Sequence, residues 1–572
     1  MSPSSRTGIG RAWDVLAVLA ISVFTAFLSG SRQWTGFNSP DSEFYASIAA
    51  FGTDVVDRSL EPAYYWTRLG YIAPVRGAIG WLGPWAGFAL WRFVLILVIV
   101  GSVYWLVRQV SSRSLAVVLA TGVSLSTVVL SFVGNTYLTG TVLAATILML
   151  ALGVWCIEST ARRPWLPAAL SGVVGAWLVM LNPYALFLGL AMWLGIRFIG
   201  LVTADDGRWA ALARDAAAAA VGMIAGTAAF IGIGRIMFPG RDWIGTYLDW
   251  NSRLDYVDFI GDPDVWTHDV SLLVPAAAVA IAVISVAATR ASRVSLVAVA
   301  VGAINIAYSY AFFRLVPGPW LEAPTYVAKL WPGALVAVAL SFAAIAGKRR
   351  LSPVAWILAL GFVPLLLWSG RWETTLDATT ALTIVVATVA VFAAAALACR
   401  RGTGVVASIM VVLSIGVALV GAQVLQNGRG LIGIYGQFPL RAAFVDFNGE
   451  QLMTAKIAAE QWVLDHTAAG DRIGIWTDPD RMMAQIAAMQ LWGAYNNVST
   501  GPVLNTAEVK ELERIRPTAL AMYAPTRAQV ATFWGSIPPW ALPSDPECTT
   551  VSFPGIGVED SFVCVTKLNW VG

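Results

Sequence analysis

Long apolar windows recur along this chain, and they constrain its fold more than any other feature. The chain has 572 residues, of which 58% are hydrophobic and 12% charged, and its mean hydropathy is +0.69. A helix needs about 20 apolar residues to cross a bilayer. Windows of roughly that length lie at 13–30, 85–107, 115–133, 136–157, 165–181, 184–202, 216–238, 270–288, 294–313, 325–346, 353–368, 379–398 and 404–425. The sequence therefore predicts a polytopic α-helical membrane protein with about 13 transmembrane helices.

The positions of basic residues predict the orientation of these helices. Cytoplasmic loops collect Arg and Lys, and alternate loops here do so. These residues are Arg6, Arg11, Arg108, Arg113, Arg162, Arg163, Arg208, Arg214, Arg290, Arg293, Lys348, Arg349, Arg350, Arg400 and Arg401. The first window lacks a small-residue cleavage pattern, so we expect it to be retained as a span. The N-terminus is then cytoplasmic, and an odd number of spans places the C-terminal region outside.

Two predicted outer loops are long, and long loops commonly carry function. The first covers residues 31–84 and contains the aromatic segment 61–66, which is suited to short interfacial helices. The second covers residues 239–269 and is rich in Asp, Trp and Tyr. Together with the spans, these loops form a predicted transmembrane domain over residues 1–425.

Residues 426–572 are less hydrophobic and resemble a small soluble domain. We expect helices at 451–469, 481–491, 507–514 and 527–534, and strands at 472–476, 519–523 and 562–568. Such alternation predicts an extracytoplasmic α/β domain. Cys548 and Cys564 lie in this region, where an oxidising compartment would favour a disulfide, although their spacing alone does not determine pairing.

Two carboxylates stand at the start of the first outer loop, in the segment Asn38-Ser39-Pro40-Asp41-Ser42-Glu43. A hydroxyl that attacks an anomeric carbon needs a carboxylate to accept its proton, which makes Asp41 a candidate base. In an extended segment Asp41 and Glu43 would share a face, whereas in a helix they would diverge by about 200 degrees. The same residues are also typical of an ordinary helix start, with Pro40 at the first position and acidic residues in the first turn.

With this motif, the predicted architecture resembles the GT-C superfamily of membrane glycosyltransferases. The likeness covers the whole chain and is greatest to the group of protein mannosyltransferases, aminoarabinose transferases and arabinofuranosyltransferases. It implies a sugar donor carried on polyprenyl phosphate, with transfer on the non-cytoplasmic face. It also implies that Asp41 activates the acceptor and that Glu43 is its partner in the motif.

The chain departs from metal-dependent members of that superfamily in the connection Gly134-Asn135-Thr136-Tyr137, which lacks the acidic pair that several of them carry. The departure favours a mechanism without a metal cofactor, so arginine would hold the leaving phosphate. The candidates are Arg58, Arg68, Arg76, Arg92, Arg235 and Arg241. Each of these arginines could instead snorkel to lipid headgroups.

Further polar and aromatic residues, in the outer loops or near the outer ends of the predicted spans, could line an acceptor site or a lipid groove. They are Tyr64, Tyr65, His268, Asp269, Arg314, Tyr326 and Lys329. The tyrosines could equally belong to an interfacial aromatic belt, and the acidic residues of the second loop could be solvated surface charges.

The sequence thus predicts a glycosyltransferase of the bacterial plasma membrane. Its donor would be a mannose or arabinofuranose unit on polyprenyl phosphate, and its acceptor a cell-envelope glycan, lipid or protein. The alternative is a transporter or a flippase for lipid-linked glycans, which would need broken helices and ionisable residues at mid-membrane depth. A net charge of +3 gives no reason to expect nucleic acid as a partner.

Overall fold

The structure is a computed structural model, and it describes a defined part of the chain. The described residues are 8–28, 40–58, 64–134, 138–158, 165–203, 208–252, 273–315, 331–369, 376–402, 404–427, 449–478, 497–499, 501–553 and 558–570. The predicted helix at 481–491 lies outside them, as do the greater part of the second outer loop and residues 316–330.

Apolar helices make up most of the described chain, as the sequence predicts. The first twelve helices are α1 (Gly8–Leu28), α2 (Pro40–Phe51), α3 (Thr53–Val56), α4 (Leu69–Leu82), α5 (Pro84–Val110), α6 (Arg113–Ser124), α7 (Thr127–Gly134), α8 (Thr139–Glu158), α9 (Trp165–Leu181), α10 (Pro183–Val202), α11 (Arg208–Met237) and α12 (Trp243–Ser252). They are followed by α13 (Leu273–Thr289), α14 (Arg293–Leu315), α15 (Trp331–Ala346), α16 (Pro353–Ser369), α17 (Ala378–Arg401) and α18 (Gly404–Asn427).

Each predicted window falls on an apolar helix or on a bent pair of helices. Within the described ranges, eight helices are long and apolar enough to cross a membrane, and four more are apolar but shorter. The window at 115–133, predicted as one span, is instead α6 and α7, which are bent by 59°. Ser124 and Ser126 lie at this break, and their hydroxyls donate to Thr121 O and Val123 O, an arrangement that competes with straight helix.

The C-terminal region contains a five-stranded mixed sheet. It comprises α19 (Gly449–Asp465), β1 (Ile473–Thr477), β2 (Asn497–Ser499), α20 (Thr506–Ile515), β3 (Ala519–Ala524), α21 (Arg527–Trp534), β4 (Glu547–Phe553) and β5 (Val558–Lys567). The strand order is β2-β1-β3-β5-β4, with β1 parallel to β2 and β3, and β5 antiparallel to β3 and β4. The predicted α/β pattern is confirmed, although β2 and β4 were not predicted. Cys548 of β4 lies opposite Cys564 of β5, and a disulfide joins them.

The closest helix packing in the bundle is between α9 and α11, where glycines replace side chains. A Cβ on Gly172 would overlap the carbonyl oxygen of Ala219, and a Cβ on Gly222 would overlap that of Ala169. Lipid tails are as apolar as Leu, so the hydrophobic effect does not hold helices together within the membrane. Close backbone contact of this kind supplies van der Waals attraction in its place.

Gly172→Ala should therefore destabilise the bundle. Forcing a methyl group into a packed interface costs about 1–3 kcal/mol, which should lower the thermal unfolding midpoint of the detergent-solubilised protein. Gly361 of α16 provides a matched control, because a Cβ there meets open space. If Gly172→Ala and Gly361→Ala unfold at the same temperature, this account of the α9–α11 contact is wrong.

Candidate active site

The first outer loop places the candidate acidic residues on α2. This helix begins at Pro40, so positions 41 and 43 fall in its first turn. Of the two conformations considered, extended and helical, the structure shows the helical one. The side chains of Asp41, Glu43 and Tyr64 lie outside the described part of the structure. The roles of these residues remain predictions.

The rest of α2 is enclosed by aromatic side chains. Phe44 and Tyr45 are buried, and their rings lie 5.0 Å and 5.3 Å from the ring of Tyr65. Tyr45 also packs at 5.8 Å against Tyr71 of α4. Tyr65, predicted as a groove residue, is itself only 2% exposed and supports the inner face of the loop. The helix is therefore part of a rigid cluster rather than a surface feature.

Arg58 joins the first outer loop to the C-terminal region. Its Nη1 donates to Asp54 O at 2.7 Å, and its Nη2 donates to Leu464 O and Thr467 O at 3.4 Å and 3.1 Å. Its own carbonyl accepts from the N–H of Ile473 at 3.1 Å. The guanidinium thus satisfies carbonyls at the C-terminal end of α19, where cations are favoured.

Arg76 has a comparable position at the other end of the loop. Its Nη1 donates to Ala49 O at 3.4 Å and to Ala50 O at 3.2 Å, near the C-terminus of α2. Both Arg58 and Arg76 were predicted to bind donor phosphate. The structure places both of them against backbone carbonyls, so a role in supporting α2 and α19 is the one that their described contacts favour.

Arg241 joins the two outer loops. It forms an ion pair with Asp57, and its guanidinium lies 5.9 Å from the centre of the Trp66 ring. Trp66 in turn packs at 5.2 Å against Phe238. Burial lowers the pKa of the Arg241 guanidinium from its ordinary value. Arg241 therefore fixes the start of the second outer loop against the first.

Arg68 stands at the junction of the same two loops and is buried to 8% exposure. Its guanidinium lies 5.5 Å from the ring centre of Tyr247 in α12. The Tyr247 hydroxyl donates to Val179 O of α9 at 2.6 Å. Burial raises the pKa of Tyr247, and the nearby Arg68 charge opposes that rise. Through Arg68 and Tyr247, this contact connects three segments of the chain: the first outer loop, α12 and α9.

The remaining predicted residues are not all described. Arg92 is buried within α5, and Arg235 is exposed on α11. His268, Asp269, Tyr326, Lys329 and the side chain of Arg314 lie outside the described residues. Among the side chains that the structure does describe, no group of three or more His, Cys, Asp or Glu could hold a metal ion.

Three polar residues near α2 were not predicted. Ser47 of α2 donates to Glu460 of α19 at 2.5 Å, and Lys456 lies one helical turn before Glu460. All three are buried. Lys and Glu four positions apart are typical of an exposed helix face, so the sequence contained no signal that this face is covered.

The helices and the sheet define a polytopic helical membrane protein with a C-terminal α/β region. Neither the comparison with family models nor that with curated proteins gave a match.

Two solved structures are similar to the chain over most of its length. One is ArnT from Cupriavidus metallidurans bound to undecaprenyl phosphate, at 16% identity and a TM-score of 0.49, over 97% of this chain and 98% of that one. The other is the oligosaccharyltransferase AglB from Archaeoglobus fulgidus with an inhibitory peptide and a dolichol-phosphate, at 9% identity and a TM-score of 0.44, over 93% and 72%.

The contacts of Arg58 predict a loss of stability when it is removed. Arg58→Ala should lower the free energy of unfolding by about 2 kcal/mol, because three carbonyls lose a charged donor. The thermal unfolding midpoint without substrate measures this effect. Arg235→Ala is the control, since Arg235 is exposed and should change stability by less than about 0.5 kcal/mol. Equal midpoints for the two variants would exclude the structural role of Arg58.

Proposed function

We propose that this protein is a membrane glycosyltransferase that uses a sugar carried on polyprenyl phosphate. One observation supports this proposal above the others: the helix with Asp41 and Glu43 in its first turn packs against Tyr65 and Tyr71 of the first outer loop and belongs to the same buried cluster as Trp243 and Tyr247 of the second, next to a bundle of apolar helices. Such a place suits a reaction between a water-soluble acceptor and a lipid-borne donor. In this proposal the donor sugar is of the mannose or arabinofuranose type, and the acceptor is an extracytoplasmic glycan, lipid or protein.

The proposed reaction is a displacement at the anomeric carbon of the donor sugar. The acceptor hydroxyl forms the new bond to that carbon, and its proton passes to the carboxylate of Asp41. The bond from the anomeric carbon to the phosphate oxygen breaks, and polyprenyl phosphate leaves with the bonding electron pair. Because that phosphate gains negative charge as it leaves, a fixed cation near it lowers the barrier.

Arg68 is the arginine best placed to supply that charge in this proposal. It is buried, and it lies between the first outer loop and Tyr247 of the second. A charge in such a place acts more strongly than one in water, and a guanidinium can hold two phosphate oxygens at once.

A transporter or flippase is the second candidate, and two observations favour it. The α6–α7 pair is bent by 59°, and Arg92 is buried inside the long apolar helix α5. Broken helices and buried ionisable residues are what a transport pathway needs. The two candidates differ in a measurable way, because a transferase consumes the donor in detergent, where a flippase has no second membrane face to deliver it to.

Asp41→Asn should abolish most of the transfer. The purified protein would be supplied with a panel of polyprenyl-phosphate sugars, including mannose and arabinofuranose donors, with and without a chelator. Loss of a general base lowers the rate by roughly 10²–10⁴-fold, and donor consumption measures it. We expect the wild-type rate to be unaffected by the chelator, since arginine and not a metal is proposed to hold the phosphate.

The control for Asp41→Asn is Asp377→Asn. Asp377 is the N-cap of α17 and accepts the N–H of Thr380 at 2.6 Å. Asn caps a helix about as well as Asp, so Asp377→Asn should leave both the helix and the transfer rate unchanged. If both variants keep full activity, Asp41 is merely part of a helix start and its proposed role as the base is wrong.

Arg68→Gln should weaken the use of the donor. Removing the charged hydrogen bonds to the phosphate should lower kcat/KM for the donor by roughly tenfold or more. Arg68→Lys keeps the charge but not the paired donors, so we expect an intermediate value. Initial rates at several donor concentrations test both variants. Unchanged kcat/KM in Arg68→Gln would assign the phosphate to another residue.

A further inference from the structure

A buried polar contact connects the C-terminal region to α2. Glu460 of α19 has no exposed surface, and one of its carboxylate oxygens accepts a hydrogen bond of 2.5 Å from the hydroxyl of Ser47. Lys456, one turn earlier on α19, is 5% exposed. Buried charges are costly unless other groups compensate them. Because Glu460 and Lys456 are buried, keeping the protein surface soluble does not explain why charged residues occur here.

The first outer loop meets α19 and the start of β1 at more than one point. Ser47 meets Glu460, and Arg58 further along the chain meets Leu464, Thr467 and then Ile473. Both sets of contacts advance together from N-terminus to C-terminus.

The apolar surroundings of this contact are continuous between the two regions. Phe44 and Ile48 of α2 belong to the same buried cluster as Ala455, Ala459 and Val463 of α19. Tyr523 of β3 is fully buried near Glu460, and its pKa is raised well above the ordinary value by burial and by the Glu460 charge. Water is thus excluded from the place where Ser47 and Glu460 meet, and a hydrogen bond there is stronger than on a surface.

We infer that Glu460 is a positioning residue, whose carboxylate holds α2 through Ser47 and thereby sets the position of Asp41 and Glu43 in the site. This inference rests on the proposed transferase function. In this inference the C-terminal region contributes to catalysis, because α19 supports the helix that carries the candidate base. A displacement of about 1 Å of a reacting group can cost up to about a hundredfold in rate.

Glu460→Gln tests the inference in the full-length protein. The glutamine keeps an oxygen that can accept from Ser47 but removes the charge. The expected result is a fall in kcat of roughly tenfold, with KM for the donor unchanged within twofold. Because removal of a buried charge is often neutral for stability, the thermal midpoint should stay close to that of the wild type. A general loss of folding would instead lower both kcat and the thermal midpoint.

Glu511→Gln is the matched control, since Glu511 is an exposed residue of the same region that pairs with Arg514. It should leave kcat unchanged. Ser47→Ala should reduce kcat as Glu460→Gln does, and the double variant should be no slower than either single variant, because both act through one contact. If the two effects multiply in the double variant, the inference is wrong.

Hydrogen exchange separates this inference from the proposed function. The amides of α2 should exchange at least about fivefold faster in Glu460→Gln than in Glu511→Gln, since α2 opens more readily when its anchor is weakened. No substrate is needed for this measurement. If every donor fails but α2 still exchanges faster, the transferase proposal fails and the anchoring of α2 stands. If α2 exchanges at the wild-type rate in both Glu460→Gln and Ser47→Ala, Glu460 does not position it.

Discussion

The contact between the first outer loop and the C-terminal region is the constraint on which the candidate site depends. Arg58 satisfies Asp54 O within the loop and Leu464 O and Thr467 O at the end of α19, while its own carbonyl receives Ile473 N–H at the start of β1. A helix end leaves several carbonyls without partners. By meeting that need from a different segment, Arg58 connects the first outer loop to α19 and to the start of the sheet.

Other arginines on the predicted outer side also connect separate segments of the chain. Arg76 satisfies carbonyls at the end of α2, and Arg241 holds Asp57 against the second loop. These residues were predicted to bind phosphate because arginine is suited to oxyanions. A carbonyl oxygen attracts the same group, so residue type alone does not distinguish a ligand site from a helix end. Arg68 and Arg241 both lie beside an aromatic ring at the junction of the two loops, and Arg68 differs in being 8% exposed where the side chain of Arg241 is 34% exposed.

Physical chemistry explains which features could be predicted. A membrane allows only helices or closed barrels to cross it, so apolar length alone located the helices. The strands β1 and β3 are buried along their whole length and therefore gave recognisable apolar runs. Strand β4 was missed because Glu547-Cys548-Thr549-Thr550 is polar, and it is a strand through its pairing with β5 and the disulfide. Likewise, Lys456 and Glu460 have the spacing of surface residues, and only the tertiary packing of α19 buries them.

Polar side chains connect separate segments of the chain on both predicted sides of the membrane. On the side predicted to be cytoplasmic, charged side chains pair with each other across helices: Asp14 with Arg113 at 2.7 Å, and buried Arg197 with Asp215. Such pairs connect α1 to α6 and α10 to α11 without any large loop. On the other side, Arg241 pairs with Asp57, and Arg58 and Arg76 bind backbone carbonyls. Charge pairs connect helices that lie side by side, whereas Arg58 and Arg76 hold segments of the first outer loop and of α19 through their backbone carbonyls.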